Sequence, residues 1–184
     1  MQWNRLLKEK TRKEFNSIET QRLAICSRIE ALKREQLLYS PDAGSWNLLE
    51  VLSHLVKAES LSLRYIQKMY KKRDDLPPAG FSSAVRFFLL KWGLNLPVKY
   101  KAPRLADTTG ESPEIGELLS EWGSIRTGFL DIIETCEEEC FRKAIYKHPR
   151  AGDLNLKQTV EFLGLHVKHH EKQISNLIGS SKIE

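Results

Sequence analysis

The chain is poor in the residues that interrupt helices, with only ten glycines and seven prolines in 184 residues. Alternating runs of β-branched residues bounded by turns are also scarce, which argues against a strand-built core. Cysteine is nearly absent. Cys26, Cys136 and Cys140 are odd in number and lack zinc-finger spacing, so they form neither a disulfide framework nor a complete metal site. They read as free buried thiols in a reducing compartment. Long hydrophobic runs are missing too. No stretch approaches the ~18 apolar residues of a membrane span, and Phe87-Phe88-Leu89-Leu90 is closed at once by Lys91. The start, Met1-Gln2-Trp3-Asn4-Arg5, has no basic-then-apolar secretory pattern. A cytoplasmic protein with no membrane partner is expected.

What is present is the mixture of an ordinary globular protein, 41% hydrophobic and 29% charged. The length suits one domain over 1–184 and allows a sizeable core without staples. The net charge of +5 could suit a nucleic acid. However, the densest basic clusters, 68–73 and 8–13, lie beside acidic residues or at a helix end. They read as solvated faces, and no nucleic-acid partner is expected.

Helical periodicity dominates. A first helix is expected over 4–38, with Leu7, Phe15, Ile18, Ile25, Ile29 and Leu32 near helical spacing. The turn cluster from Tyr39 to Gly44 stops it. A second opens at Asn47, where Glu50 three residues on resembles a capping box, and runs to about Lys72. Residues 74–112 make a long connection, with a short helix from Phe81 to Leu96 laid over the other helices and extended chain over 99–104. So long a link should be a packed cover or a lid. A third helix is expected from a Ser112 cap with Pro113 in its first turn to about Arg142. Gly116, Gly123 and Gly128 weaken it and permit close helix contacts. The last runs from Asn155, again with a box-like Gln158, to near Gly179. Four amphipathic helices with short links at two joins and a long one in the middle argue for an all-α four-helix bundle.

The histidines are the most informative residues. His166 and His170 lie four apart on the last helix, about 40° apart around its axis. His170 falls within the apolar stripe of Leu156, Val160, Leu163, Val167, Ile174 and Leu177, and His166 at its edge. Buried imidazoles need partners for their ring nitrogens. A divalent cation is one such partner, and His-x-x-x-His has the spacing to grip it. Hydrogen-bonded core histidines are the plainer alternative. His54, on the face of the second helix that carries Val51, Ala58 and Leu61, is a candidate third ligand. His169 and His148 are weaker candidates, one pointing about 100° away from His170 and the other in a connector.

The stretch from Ser45 to Leu55, with Trp46, Asn47, Glu50 and His54-Leu55, resembles the second-helix signature of the DinB/YfiT-like superfamily. His166-Val167-Lys168-His169-His170-Glu171-Lys172-Gln173-Ile174 is similar to its fourth-helix signature. His148-Pro149-Arg150-Ala151-Gly152 is similar to a turn in one branch, and Lys101-Ala102-Pro103 has counterparts there. The resemblance spans about residues 15–178. It implies up-down-down-up connectivity, with a long, partly helical link between the second and third bundle helices. It also implies a metal triad that carries over to His54, His166 and His170. Imidazole suits several divalent metals, and zinc or nickel is the expected ion. Within the family some members are thiol-dependent transferases or isomerases, and others look like metal-dependent hydrolases.

The leading functional expectation is therefore a metalloenzyme in which the ion activates water or a low-molecular-weight thiol against a small-molecule substrate. Glu50, one turn before His54, either orients that ring or only caps its helix. Glu161, His169 and Gln173 are weaker candidates for proton transfer or substrate contact. No motif names a general acid or base. The rival reading is a non-catalytic metal-binding or stress-response interaction module, and a homodimer is left open.

Overall fold

The computed structural model describes residues 2–95 and 106–181. Among these lie α1 (Gln2–Ile29), α2 (Arg34–Leu38), α3 (Leu48–Tyr70), α4 (Phe81–Asn95), α5 (Ile115–Thr135) and α6 (Leu156–Ser180). The all-α expectation holds apart from a small antiparallel hairpin of β1 (Tyr146–His148) and β2 (Gly152–Leu154). The extended reading of 99–104, and the resemblance at Lys101-Ala102-Pro103, lie outside the described residues.

The two polar signatures at helix starts form as expected. Asn47 Oδ1 accepts from the Glu50 amide at 3.0 Å, and Glu50 Oε2 accepts from the Asn47 amide at 2.8 Å. Asn155 and Gln158 repeat the reciprocal pair at 2.9 and 3.0 Å. Each box satisfies two amides that a helix start leaves without partners.

Three helix ends differ from expectation. The first helix stops at Ile29, and the chain turns before the short α2 places Leu37 in the core. Ser112 does not cap α5; its hydroxyl instead accepts from the Arg34 guanidinium at 3.0 Å. The helix begins instead after Glu114, leaving Pro113 outside. At the other end α5 stops at Thr135, and a 3₁₀ turn over Glu138–Arg142 drives Cys140 and Phe141 into the core. No glycine or proline marks that break. Burial of Phe141 decides it. Cys26, Cys136 and Cys140 are buried free thiols, as expected.

Helices α1 and α3 each pack against both α5 and α6. Around the shared core stand Ile25, Ile29, Leu52, Leu55, Trp122, Phe129 and Val167. Two glycines allow close approach. A Cβ at Gly128 would stand 2.7 Å from Leu63 Cδ2, across α5 and α3. One at Gly164 would stand 2.5 Å from Ile18 Cγ2, across α6 and α1. Of the three glycines expected to matter, only Gly128 meets such a neighbour. Helix α4 lies apart from this core. Its Phe87 packs with Ala151 and Leu154 beside the hairpin and α6, which covers one face of the helix only.

Candidate metal centre

His54 stands in the second turn of α3 and His166 and His170 near the middle of α6, where the two helices pack together. Their ring centroids form a near-equilateral triangle, with separations of 5.1, 5.1 and 5.0 Å. One nitrogen from each ring lies within 4.8 Å of the other two. The tightest pair, His54 Nε2 and His166 Nε2, is 3.2 Å apart. A tetrahedral ion with metal–nitrogen bonds of about 2.0–2.1 Å spaces its ligand atoms by about 3.3 Å, so this pair already has ligand spacing.

Neighbouring groups fix the rings. His54 Nδ1 lies 2.7 Å from the Ala106 carbonyl oxygen, which can only accept. Nδ1 therefore carries the proton, and the Nε2 lone pair turns toward the other two histidines. His170 Nδ1 likewise faces Gln173 Oε1 at 3.1 Å, one turn along the same helix. Such partners on the far nitrogen orient a metal-binding ring and set its tautomer.

The Ala106 carbonyl is itself held in place. Thr108 Oγ1 donates to the Glu50 carbonyl at 2.7 Å, and the Gly110 amide donates to Glu50 Oε1. Lys57 reaches the Asp107 carbonyl at 3.0 Å, and Trp46 Nε1 donates to Thr109 at 3.0 Å. Glu50 thus caps α3 and pins the 106–110 loop. It does not touch the His54 ring; that acceptor is a backbone carbonyl from a loop.

Burial shapes the electrostatics. Desolvation is the main cause that lowers the pKa of His54 and, well below its usual value, that of His166. It lowers His170 to about 4, against the opposing hydrogen bond from Gln173. All three rings are neutral at pH 7, the form a metal requires. His54 is buried, whereas His166 and His170 keep partial exposure. Trp46 flanks His54 at 5.2 Å between ring centroids, and Phe162 stacks on His166 at 5.7 Å. The site is a polar triangle walled by aromatic rings and open on the α6 side.

The other candidates go elsewhere. His148 Nδ1 accepts from the Arg150 and Ala151 amides at 3.1 and 3.0 Å and so holds the hairpin turn. Glu161 pairs with Lys157 at 2.6 Å. His169 sits beside His170 with ring centroids 5.2 Å apart and is not in the cluster. Gln173 serves His170. Sequence reading missed Ala106, for which nothing in the chain gives a signal. It also missed a buried pair between Glu59 and Arg126, whose sole signal was charge within two apolar stripes.

A relative from Bacillus subtilis (strain 168), the "Uncharacterized protein YuaE", is 27% identical over 163 residues. That match covers 89% of this chain and 94% of the relative. No solved structure matches. The model of the DinB superfamily matches residues 17–174, a span that holds all three clustered histidines, and the chain belongs to that superfamily.

Proposed function

We propose that this chain is a metal-dependent enzyme whose one divalent ion, zinc or nickel, is held by His54, His166 and His170. The observation that carries the reading is the convergence of three neutral imidazoles, two of them 3.2 Å apart at Nε2, with the outer nitrogens of His54 and His170 turned to acceptors. Three neutral ligands leave the ion its full charge and an open position, and no carboxylate among the described residues joins the cluster. What the ion supplies there is Lewis acidity toward a water molecule or a low-molecular-weight thiol, for hydrolysis or thiol transfer. The chain's own part is to orient the rings through Ala106 and Gln173. Trp46 and Phe162 flank the site with apolar surface, and a small-molecule substrate enters from the exposed α6 side.

The same reading includes a single domain over 1–184 and up-down-down-up order for α1, α3, α5 and α6. Three contacts support that order. Lys8 near the start of α1 donates to Glu134 O at the end of α5, Tyr70 at the end of α3 donates to Thr135 O, and Arg28 near the end of α1 donates to Ser175 on α6.

Elemental analysis of untagged protein, purified without chelator, tests the site. Near-stoichiometric metal in the wild type, lost in His166→Ala/His170→Ala, is expected, and would direct screening toward thiol transfer and hydrolysis. A wild type that stays empty after incubation with zinc and with nickel sinks the proposal.

A further inference from the structure

The outer face of α4 is unlike the rest of the surface. Phe81, Val85, Phe88, Leu89 and Trp92 follow helical spacing and share one face. They are 85, 43, 60, 62 and 66% exposed. The opposite face is occupied, because Ser83 and Phe87 are buried and Leu90 packs beside Phe87 against the hairpin and α6. A helix with large apolar side chains on two opposite faces calls for cover on both, yet the protein covers this one on a single side. Other large apolar side chains exposed among the described residues are scattered: Leu6, Leu23, Leu38 and Leu61. A contiguous apolar patch of this kind marks a contact surface.

Charge says what kind of contact. Residues 76–106 contain Arg86, Lys91, Lys99, Lys101 and Arg104 and no Asp or Glu. That net +5 equals the charge of the whole chain, so the remainder balances to zero. On the helix itself, Arg86 and Lys91 fall on the two flanks of the exposed apolar stripe. An apolar stripe rich in Phe, Leu and Trp, whose charged neighbours on the helix are all basic, has the make-up of a helix lying in a membrane interface.

We propose that α4 docks on an anionic lipid surface, with its outer apolar stripe sunk to the boundary of headgroups and acyl chains and its basic flanks against the headgroups. No described helix is long and apolar enough to cross a membrane, so the contact is peripheral. This revises the expectation of no membrane partner, which rested on the lack of a spanning segment. A second copy fits worse, because a two-fold contact through α4 would set Arg86 and Lys91 against their like. A nucleic acid would meet the charge and leave five large apolar side chains in water.

Flotation of the full-length protein with vesicles tests the proposal. Vesicles of equal parts phosphatidylglycerol and phosphatidylcholine should bind on the order of tenfold more tightly than phosphatidylcholine alone, and less tightly as salt rises. Phe88→Ser/Trp92→Ser should weaken that binding by roughly tenfold or more while its melting temperature stays at or above the wild-type value, since both side chains face water. Should the variant fail to fold, quenching of wild-type tryptophan emission by brominated-chain phosphatidylglycerol decides alone, and its absence overturns the proposal. Wild-type protein that stays with the soluble fraction at both compositions also overturns it. So does an α4-mediated dimer, or capture of an acidic protein, without vesicle binding.

Discussion

Helix α3 carries two buried polar clusters, five residues apart in sequence and different in kind. On the side of α5, Glu59 accepts from Arg126 Nε and Nη2, both at 2.6 Å, with the two side chains only 1 and 2% exposed. The planar guanidinium fork matches the carboxylate, and Trp122 lies over the same guanidinium, 5.8 Å from ring centroid to Cζ. Charge meets charge and two donors meet two acceptors, while Arg126 Nη1 is buried without a hydrogen-bond partner. On the side of α6, His54, His166 and His170 turn ring nitrogens toward one another, with His54 Nε2 and His166 Nε2 at 3.2 Å, and no opposite charge meets them there. A buried pair whose opposite charges meet serves the fold. The cluster whose ring nitrogens converge has the geometry of the proposed metal site.

The largest effect is expected where that contrast is broken on the structural side. Removing one partner of a buried, fully desolvated pair leaves an uncompensated charge, which costs about 3–5 kcal/mol. Glu59→Leu alone and Arg126→Met alone should each lose that much stability in urea unfolding. The double replacement should recover most of it, because an apolar pair of similar volume is often neutral. Metal content per folded molecule should stay at the wild-type level throughout. If either single variant unfolds no more easily than wild type, the pair is not the structural half of this comparison.

A second test uses acid. Burial lowers His148 and His170 to about 4 from the usual 6.5. Because the folded pKa lies below the unfolded one, the unfolded chain binds more protons between those values. The stability these rings contribute is therefore present above pH 6.5 and lost as pH falls toward 4, by roughly 2–3 kcal/mol for each ring. His148 illustrates why: its Nδ1 accepts two backbone amides and cannot do so once protonated. Chelator-treated protein should lose stability over that window, and His148→Gln should flatten part of the slope. A metal-free protein equally stable at pH 7 and pH 4.5 would contradict the burial of neutral rings.

How much of this was legible in the sequence differs between elements. The capping boxes at Asn47 and Asn155 were readable because both partners lie within four residues on one turn. The core faces of α3 and α6 were readable from their period, and with them the three histidines. The stop of α5 at Thr135 was not, because tertiary burial of Phe141 outweighs a local pattern that would continue the helix. The Ser112 cap does not form, and its hydroxyl meets Arg34, 78 residues away. The site shows the same limit. Its three histidines share a helix or a periodic face, whereas the Ala106 carbonyl comes from a loop, and every backbone looks alike in a sequence. Glu50 was ambiguous for the same reason, since its second role depends on where residues 106–110 fold back.

The smallest effect tests how far orientation matters once the ligands are in place. Gln173 touches His170 through Nδ1, one turn along α6, and is itself no member of the triangle. Its Oε1 accepts the Nδ1 proton and thereby holds the opposite nitrogen as the free lone pair. Gln173→Leu keeps the bulk and removes the acceptor, so the ring is free to turn or change tautomer without any loss of ligand number. Losses of this kind weaken metal binding by about 10–100-fold. The low end is expected, because His54 retains its own carbonyl anchor at 2.7 Å. Competition for zinc against a chromophoric chelator would read it directly, with Gln173→Glu recovering affinity because a carboxylate accepts the same proton. If Gln173→Leu binds zinc as tightly as wild type, packing alone orients His170, and the contrast with the Glu59–Arg126 pair rests on the three ligands alone.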